Sequence, residues 1–217
     1  MASTRQGQSF DGKSGAPSSS STGVSGLRSM ASKHVPLVVL RCKLLIVGDA
    51  TVGKTALSQV FHSGGPTYPK NYLMTVGAEF LTKQVPIPDS NAVVEMHIFD
   101  CAGQSIFNQL EMNSKYYENA SAVMVVYDVT SSESLQSANK WLMGVRGTRQ
   151  SGPALIGCLV GNKADLRDDT LSRAEVSKED AQRLAADMGL SYFETSSQSN
   201  NGVDAPFSFV AKEFYKR

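Results

Sequence analysis

The stretch that most constrains this chain is LLIVGDATVGKTAL, residues 44–57. Leu44 to Val47 is an unbroken apolar run, the pattern of a strand buried on both faces of a parallel sheet. Ala56, Leu57, Val60 and Phe61 then recur at helical spacing. Between strand and helix, Gly48, Gly53, Lys54 and Thr55 fit G-x-x-x-x-G-K-[ST]. Such a loop turns backbone N–H groups and a helix N-terminus toward phosphate oxygens, while its Lys reaches the β- and γ-phosphates and its Thr takes magnesium. Gly48, Asp49, Ala50, Thr51, Val52, Gly53, Lys54, Thr55 and Ala56 are therefore the expected cradle. The competing reading is a plain Gly-rich turn. Chance supplies this motif in a chain of this length on the order of 1% of the time, and the flanking strand and helix make the coincidence rarer.

The remaining pattern says what sheet this strand belongs to. AEFLTKQVPI and AVVEMHIFD alternate apolar and polar residues around the turn residues PDSN, and read as an antiparallel hairpin at a sheet edge. AVMVVYDV (122–129) and ALIGCLVG (154–161) read as buried parallel strands. A helix is expected between them over 133–149, with Leu135, Ala138, Trp141, Leu142 and Val145 on one stripe. A second is expected over 178–188, then the short strand SYFET and a last helix over 206–215. Strands alternating with helices after one hairpin predict an α/β fold, a doubly wound, mostly parallel six-stranded sheet with one antiparallel edge strand. Ligands of such sheets bind beyond the carboxyl ends of the strands.

Two further motifs fall at those ends. In DCAG, Asp100 can hold magnesium and the Gly103 N–H can reach a γ-phosphate. D-x-x-G alone carries no weight, since chance supplies about one per chain of this size. Its place at a strand end gives it meaning. In GNKADL (161–166), the Asp165 carboxylate can accept from N1–H and the 2-amino group of guanine. Adenine offers an acceptor at N1 and no 2-amino group, and a buried polar group left unpaired costs about 1–3 kcal/mol. Asn162 can brace neighbouring loops, and Lys163 can lay its methylene stem over the base. The ligand implied is a guanine nucleotide, which disfavours a P-loop ATPase or nucleotide kinase.

With these residues in view, the core from about Arg41 onward resembles the Ras-like small GTPases, and within them the Rab-like branch. DCAGQ resembles that family's D-x-A-G-Q, TVGAEF (75–80) its T-x-G-x-[DE]-F and ETSS (194–197) its E-T-S-A. The resemblance implies GTP and GDP with Mg2+ as ligands. It makes Thr75 the switch threonine that binds magnesium with Thr55 and Asp100, and Tyr68 the aromatic against the base. It places the Ser196 and Ser197 backbone near the guanine oxygen. Gln104 would orient the attacking water, with Lys54 as its catalytic companion. It also implies an exchange factor and a GTPase-activating protein as partners. VDAPF, PIPDS and RCKLLIVGDATVGKTAL look like the Rab-like subunits of intraflagellar transport, which pair with a small β-sandwich subunit in cilia or flagella. Departures from the family are Ala50 and Thr51 where Ras has glycines, and Gln198 where the base loop has lysine.

Composition bounds the rest. Residues 1–36 are dominated by Ser and Gly and lack large apolar residues, so a disordered tail is expected there and one G domain over 37–217. A net charge of +1 gives no field that would favour nucleic acid or acidic lipid. The sequence closes on KEFYKR without a C-terminal cysteine, so no direct lipid anchor is expected and a cytoplasmic or ciliary setting is. Cys42, Cys101 and Cys158 read as reduced core thiols. Trp141 reads as core, His97 as a surface residue, and the charges from Arg167 to Glu179 as a solvated loop and helix face. Two functional readings stand side by side: a GTP/GDP switch with slow hydrolysis, and a GTP-binding interaction subunit with incidental turnover. A vesicle-traffic GTPase of the Rab type is a further alternative.

Overall fold

In the computed structural model, residues 37–65, 68, 69, 71, 73–103, 115–149, 152–167 and 175–217 are described. Strand β1 (Val38–Val47) shows why its last four residues, Leu44 to Val47, are all apolar. Leu44 and Ile46 point into one core and Leu45 and Val47 into another, because successive side chains of a strand face opposite sides. The first core lies under helices α1 (Lys54–Ser63) and α4 (Asp204–Tyr215). Phe61 of α1 and Phe207 of α4 stack there with ring centroids 3.7 Å apart. The second core lies under α2 (Ser132–Gly147) and α3 (Lys178–Asp187), with Trp141, Leu142 and Val145 against the sheet.

The sheet runs β2 (Ala78–Pro86), β3 (Ala92–Cys101), β1, β4 (Ala122–Asp128), β5 (Ile156–Asn162), β6 (Ser191–Glu194). Only the edge strand β2 is antiparallel; β3, β1, β4, β5 and β6 pair in parallel. This is the expected six-stranded α/β fold. Register aligns the exits of the strands: Ile46 sits opposite Asp100, and Asp128 opposite Asn162. Every motif found in the sequence therefore leaves the sheet on one side.

Helices α2 and α4 start slightly earlier than expected and α3 at the expected residue, each for a local reason. Helix α2 begins at Ser132 because the Ser131 hydroxyl accepts from the Ser134 N–H, and α3 begins at Lys178 because Ser177 does the same for Asp180. Helix α4 begins two residues before Pro206, since proline is tolerated in a first turn whose N–H groups have no helical acceptor. The three cysteines are free and buried, and burial pushes the Cys42 and Cys101 thiols up to about 12. Among the described residues no helix is long and apolar enough to cross a membrane.

Candidate functional site

The loop between β1 and α1 is shaped by what its glycines pack against. Gly48 has φ 144°, and a Cβ there would stand 2.1 Å from the Val126 carbonyl oxygen of β4. Gly53 has φ 93°, and its Cβ would stand 2.3 Å from Asn162 Nδ2. Gly103 is held as tightly: a Cβ would lie 2.5 Å from Lys54 Nζ and 2.6 Å from the Ala50 nitrogen. Larger residues at these points would pry the loop off its neighbours. Lys54 is buried and donates to the Gly48 and Asp49 carbonyls at 2.9 and 2.7 Å. Burial lowers its pKa from the ordinary lysine value, an effect that Asp100 partly opposes. The loop thus carries a pre-placed ammonium and a run of backbone from Gly48 to Ala56 at a helix N-terminus.

Beside it stands a set of hard oxygen donors. Thr55 Oγ1 donates to Asp100 Oδ2 at 2.5 Å and lies 3.0 Å from Thr75 Oγ1. The other Asp100 oxygen, Oδ1, is buried with no hydrogen-bond partner among the described residues. Desolvation by burial pushes the Asp100 carboxyl up to about 6, against the Thr55 hydrogen bond and the Lys54 charge, which lower it. A buried carboxylate with an orphan oxygen is unfavourable alone, and a cation would satisfy it. Two hydroxyls and a carboxylate suit Mg2+, which takes oxygen ligands and keeps several waters. The residues present fit that ion.

The other end of the cleft is organised by Asn162, which is 1% exposed. Its Nδ2 donates to the Val52 carbonyl at 3.0 Å. Its Oδ1 accepts from Thr195 Oγ1 at 3.2 Å, the Ser197 N–H at 3.2 Å and Ser197 Oγ at 3.0 Å. One amide thereby joins the phosphate loop to the loop after β6. Ser196 Oγ donates to Asp165 Oδ1, and Lys163, at φ 65°, sends its Nζ to Asp128 Oδ2 at 2.5 Å. Together the two ends enclose a cleft of about 440 Å³ lined by Lys54, Thr55, Thr75, Gly103, Asp165 and Ser197, with Tyr68, Lys163 and Gln198 on its wall. That volume is of the size that takes small ligands. Gln104 lies outside the described residues, as does the segment 1–36.

Two features escaped the sequence. Trp141 is core, as its periodicity implies, but its Nε1 also donates to Asp49 Oδ1 at 2.7 Å. Arg167 is a correction: it does not belong to a solvated face. Its guanidinium pairs with Glu194 Oε1 at 2.7 Å and donates to the Val176 carbonyl at 2.6 Å. Tyr192 donates to the same Glu194 oxygen at 2.6 Å and sits 2.9 Å from the Tyr127 hydroxyl. Tyr192 and Glu194 share β6 two residues apart, but no spacing rule reveals the Arg167–Glu194 and Tyr127–Tyr192 partners, which come from different elements of the fold. His97 is half-exposed and bonds Glu95 Oε1 at 2.9 Å, so it is less free than a plain surface residue.

The profile of the Ras family matches residues 43–216. The chain belongs to the Ras family. It is 43% identical over 180 residues to the Intraflagellar transport protein 27 homolog of Mus musculus, covering 83% of this chain and 93% of that one. The homolog from Trypanosoma brucei brucei is 36% identical over 178 residues, covering 82% of this chain and 92% of the relative. Ras-related protein Rab-13 of Bos taurus is 31% identical over 171 residues, with 79% and 78% covered. As a Ras-family GTPase of Rab-like kind, this chain has the fold and guanine-nucleotide chemistry that the motifs predicted.

Proposed function

We propose that this Ras-family chain is a magnesium-dependent GTP/GDP switch with slow intrinsic hydrolysis, working as a subunit of the intraflagellar transport machinery in the cilium or flagellum. The observation that carries the switch is the joining, in one cleft, of the Lys54 cradle, the Thr55–Thr75–Asp100 oxygen cluster and the Asp165–Ser196 base loop. Lys54 and the loop N–H groups would bind the phosphates, Thr55, Thr75 and Asp100 would hold Mg2+, and Asp165 would select guanine. Gly103 rests on the cradle, so a γ-phosphate there would be sensed by the segment that follows it. Mg2+ would supply charge neutralisation at the β- and γ-oxygens. Leu73, Met74 and Val76, which flank Thr75, are exposed, a surface that suits a regulator reading the nucleotide state. An exchange factor and an activating protein are the regulators this reading requires. Likeness to the intraflagellar transport relatives supports the transport role, and within that role a heterodimer with a small β-sandwich subunit is the partnership proposed.

The test is single-turnover phosphate release from purified protein loaded with GTP and Mg2+. Hydrolysis on the order of 10⁻⁴–10⁻³ s⁻¹ is expected, the rate of an unassisted Ras-type site, and Gln104→Leu should lower it while GTP still binds. Turnover near one per second would reveal a catalytic group on this chain beyond Gln104 and Lys54. If Gln104→Leu changes nothing, the protein is a GTP-binding interaction subunit whose nucleotide is structural.

A further inference from the structure

The phosphate loop of this chain contains an acid, Asp49, one residue after Gly48. A carboxylate near a bound polyphosphate repels it unless it is held elsewhere. Ala50, Thr51, Gly53, Lys54 and Thr55 line the cleft, while Asp49 does not. Its Oδ1 instead accepts from the Nε1–H of Trp141, 2.7 Å away across 92 residues of sequence. Trp141 is 3% exposed and wedged in the core under α2 beside Leu142 and Val145, so its indole is a fixed donor. The backbone of the same residue faces the other way in function. The Asp49 carbonyl accepts from Lys54 Nζ at 2.7 Å, and its carbonyl carbon lies where a Gly103 side chain would have to be.

We propose that Trp141 is a positioning residue for the phosphate site. It holds the Asp49 carboxylate toward α2 and away from the cleft, and so fixes the peptide on which Lys54 and Gly103 rest. This inference depends on the phosphate-cradle reading of Lys54 and Thr55. With the indole donor removed, the carboxylate is released from its partner next to the phosphates. The added repulsion grows with the charge of the nucleotide, so GTP should suffer more than GDP. A hydrogen bond to a charged group is of a strength that makes its loss worth on the order of tenfold in an equilibrium constant.

The experiment is a double-mutant cycle on full-length protein, reading dissociation of fluorescent GDP and of a non-hydrolysable GTP analogue. Trp141→Phe keeps an aromatic body in the core and removes the donor. It should raise both dissociation rates, by on the order of tenfold for the triphosphate and less for the diphosphate. Made in an Asp49→Asn background, the same substitution should change either rate by less than about threefold, because no charge remains to be released. Equal effects in the two backgrounds, or equal effects on the two nucleotides, would reduce Trp141 to core packing and overturn the proposal. If Trp141→Phe fails to fold, Asp49→Glu takes its place. It leaves the core intact while moving the carboxylate one methylene past the fixed indole, and unchanged dissociation would again refute the idea. Wild type that binds neither nucleotide would instead refute the cradle reading itself.

Discussion

At the scale of single residues, the proposed nucleotide site divides into groups that would meet the ligand and groups that hold them. Asp165 is of the first kind: exposed on the cleft wall, with one oxygen taken by Ser196 Oγ. Asp165→Asn should move the preference from GTP toward XTP, because an amide can donate to the 2-carbonyl of xanthine where a carboxylate is repelled. Competition between the two triphosphates decides it, and an unchanged preference for GTP would refute the base assignment. Thr55 ties the ion site together through Asp100 and Thr75. Thr55→Asn should therefore weaken GTP binding more than GDP binding, and only when Mg2+ is present, since an ion held there would neutralise the extra phosphate charge of GTP. Titrating both nucleotides with and without the ion measures this. The residues proposed to face the ligand could be picked out in the sequence because the chemistry demands particular types at fixed spacings. The holding residues could not, because Trp141 meets Asp49 only through the packing of α2 on the sheet.

At the scale of elements, strands were easier to see than the clips between them. The doubly buried β1, β4 and β5 announce themselves as apolar runs, and β2 and β3 as alternation. The turn Ala164–Arg167 gives no such signal, being four residues of 3₁₀ helix with no buried member. Yet it carries Asp165, and what anchors it to the β6 end is the Arg167–Glu194 pair, with side chains 20% and 17% exposed. Tyr192 and Tyr127 extend that anchor into the sheet, and a Cβ on Gly161 would press within 2.7 Å of the Tyr127 hydroxyl. Breaking a pair of this intermediate burial should cost about 2 kcal/mol, between the surface and fully buried cases. For a domain of this size that is a fall in Tm of about 4–8 °C. Arg167→Gln should show that fall, and it should also blunt the preference for GDP over IDP, which lacks the 2-amino group that Asp165 is placed to accept from. A Tm loss with discrimination intact would mean the clip serves stability alone.

At the scale of the whole molecule, the cleft is walled by segments from along the chain, from the loop after β1 to the loop after β6. At this rim stand the buried Lys54 ammonium, held only by the Gly48 and Asp49 carbonyls, and the orphan Asp100 oxygen. A ligand that satisfies both binds only the folded state, so it must raise stability by RT ln(1 + [L]/Kd). At a free concentration of 100 times Kd this amounts to about 2.7 kcal/mol. With about 2–4 °C per kcal/mol for a chain of 150–250 residues, GDP with Mg2+ should lift Tm by roughly 5–11 °C over stripped protein. ATP with Mg2+ at the same concentration should lift it by a degree or less, because adenine would present to Asp165 an acceptor at N1 and no 2-amino group. The same measurement tests the domain boundary expected from composition. If residues 1–36 contribute nothing to the core, a chain beginning at Leu37 should melt at the same temperature and show the same GDP shift. A lower Tm with the shift preserved would make the segment a structural arm, and a lost shift would make it part of the nucleotide site.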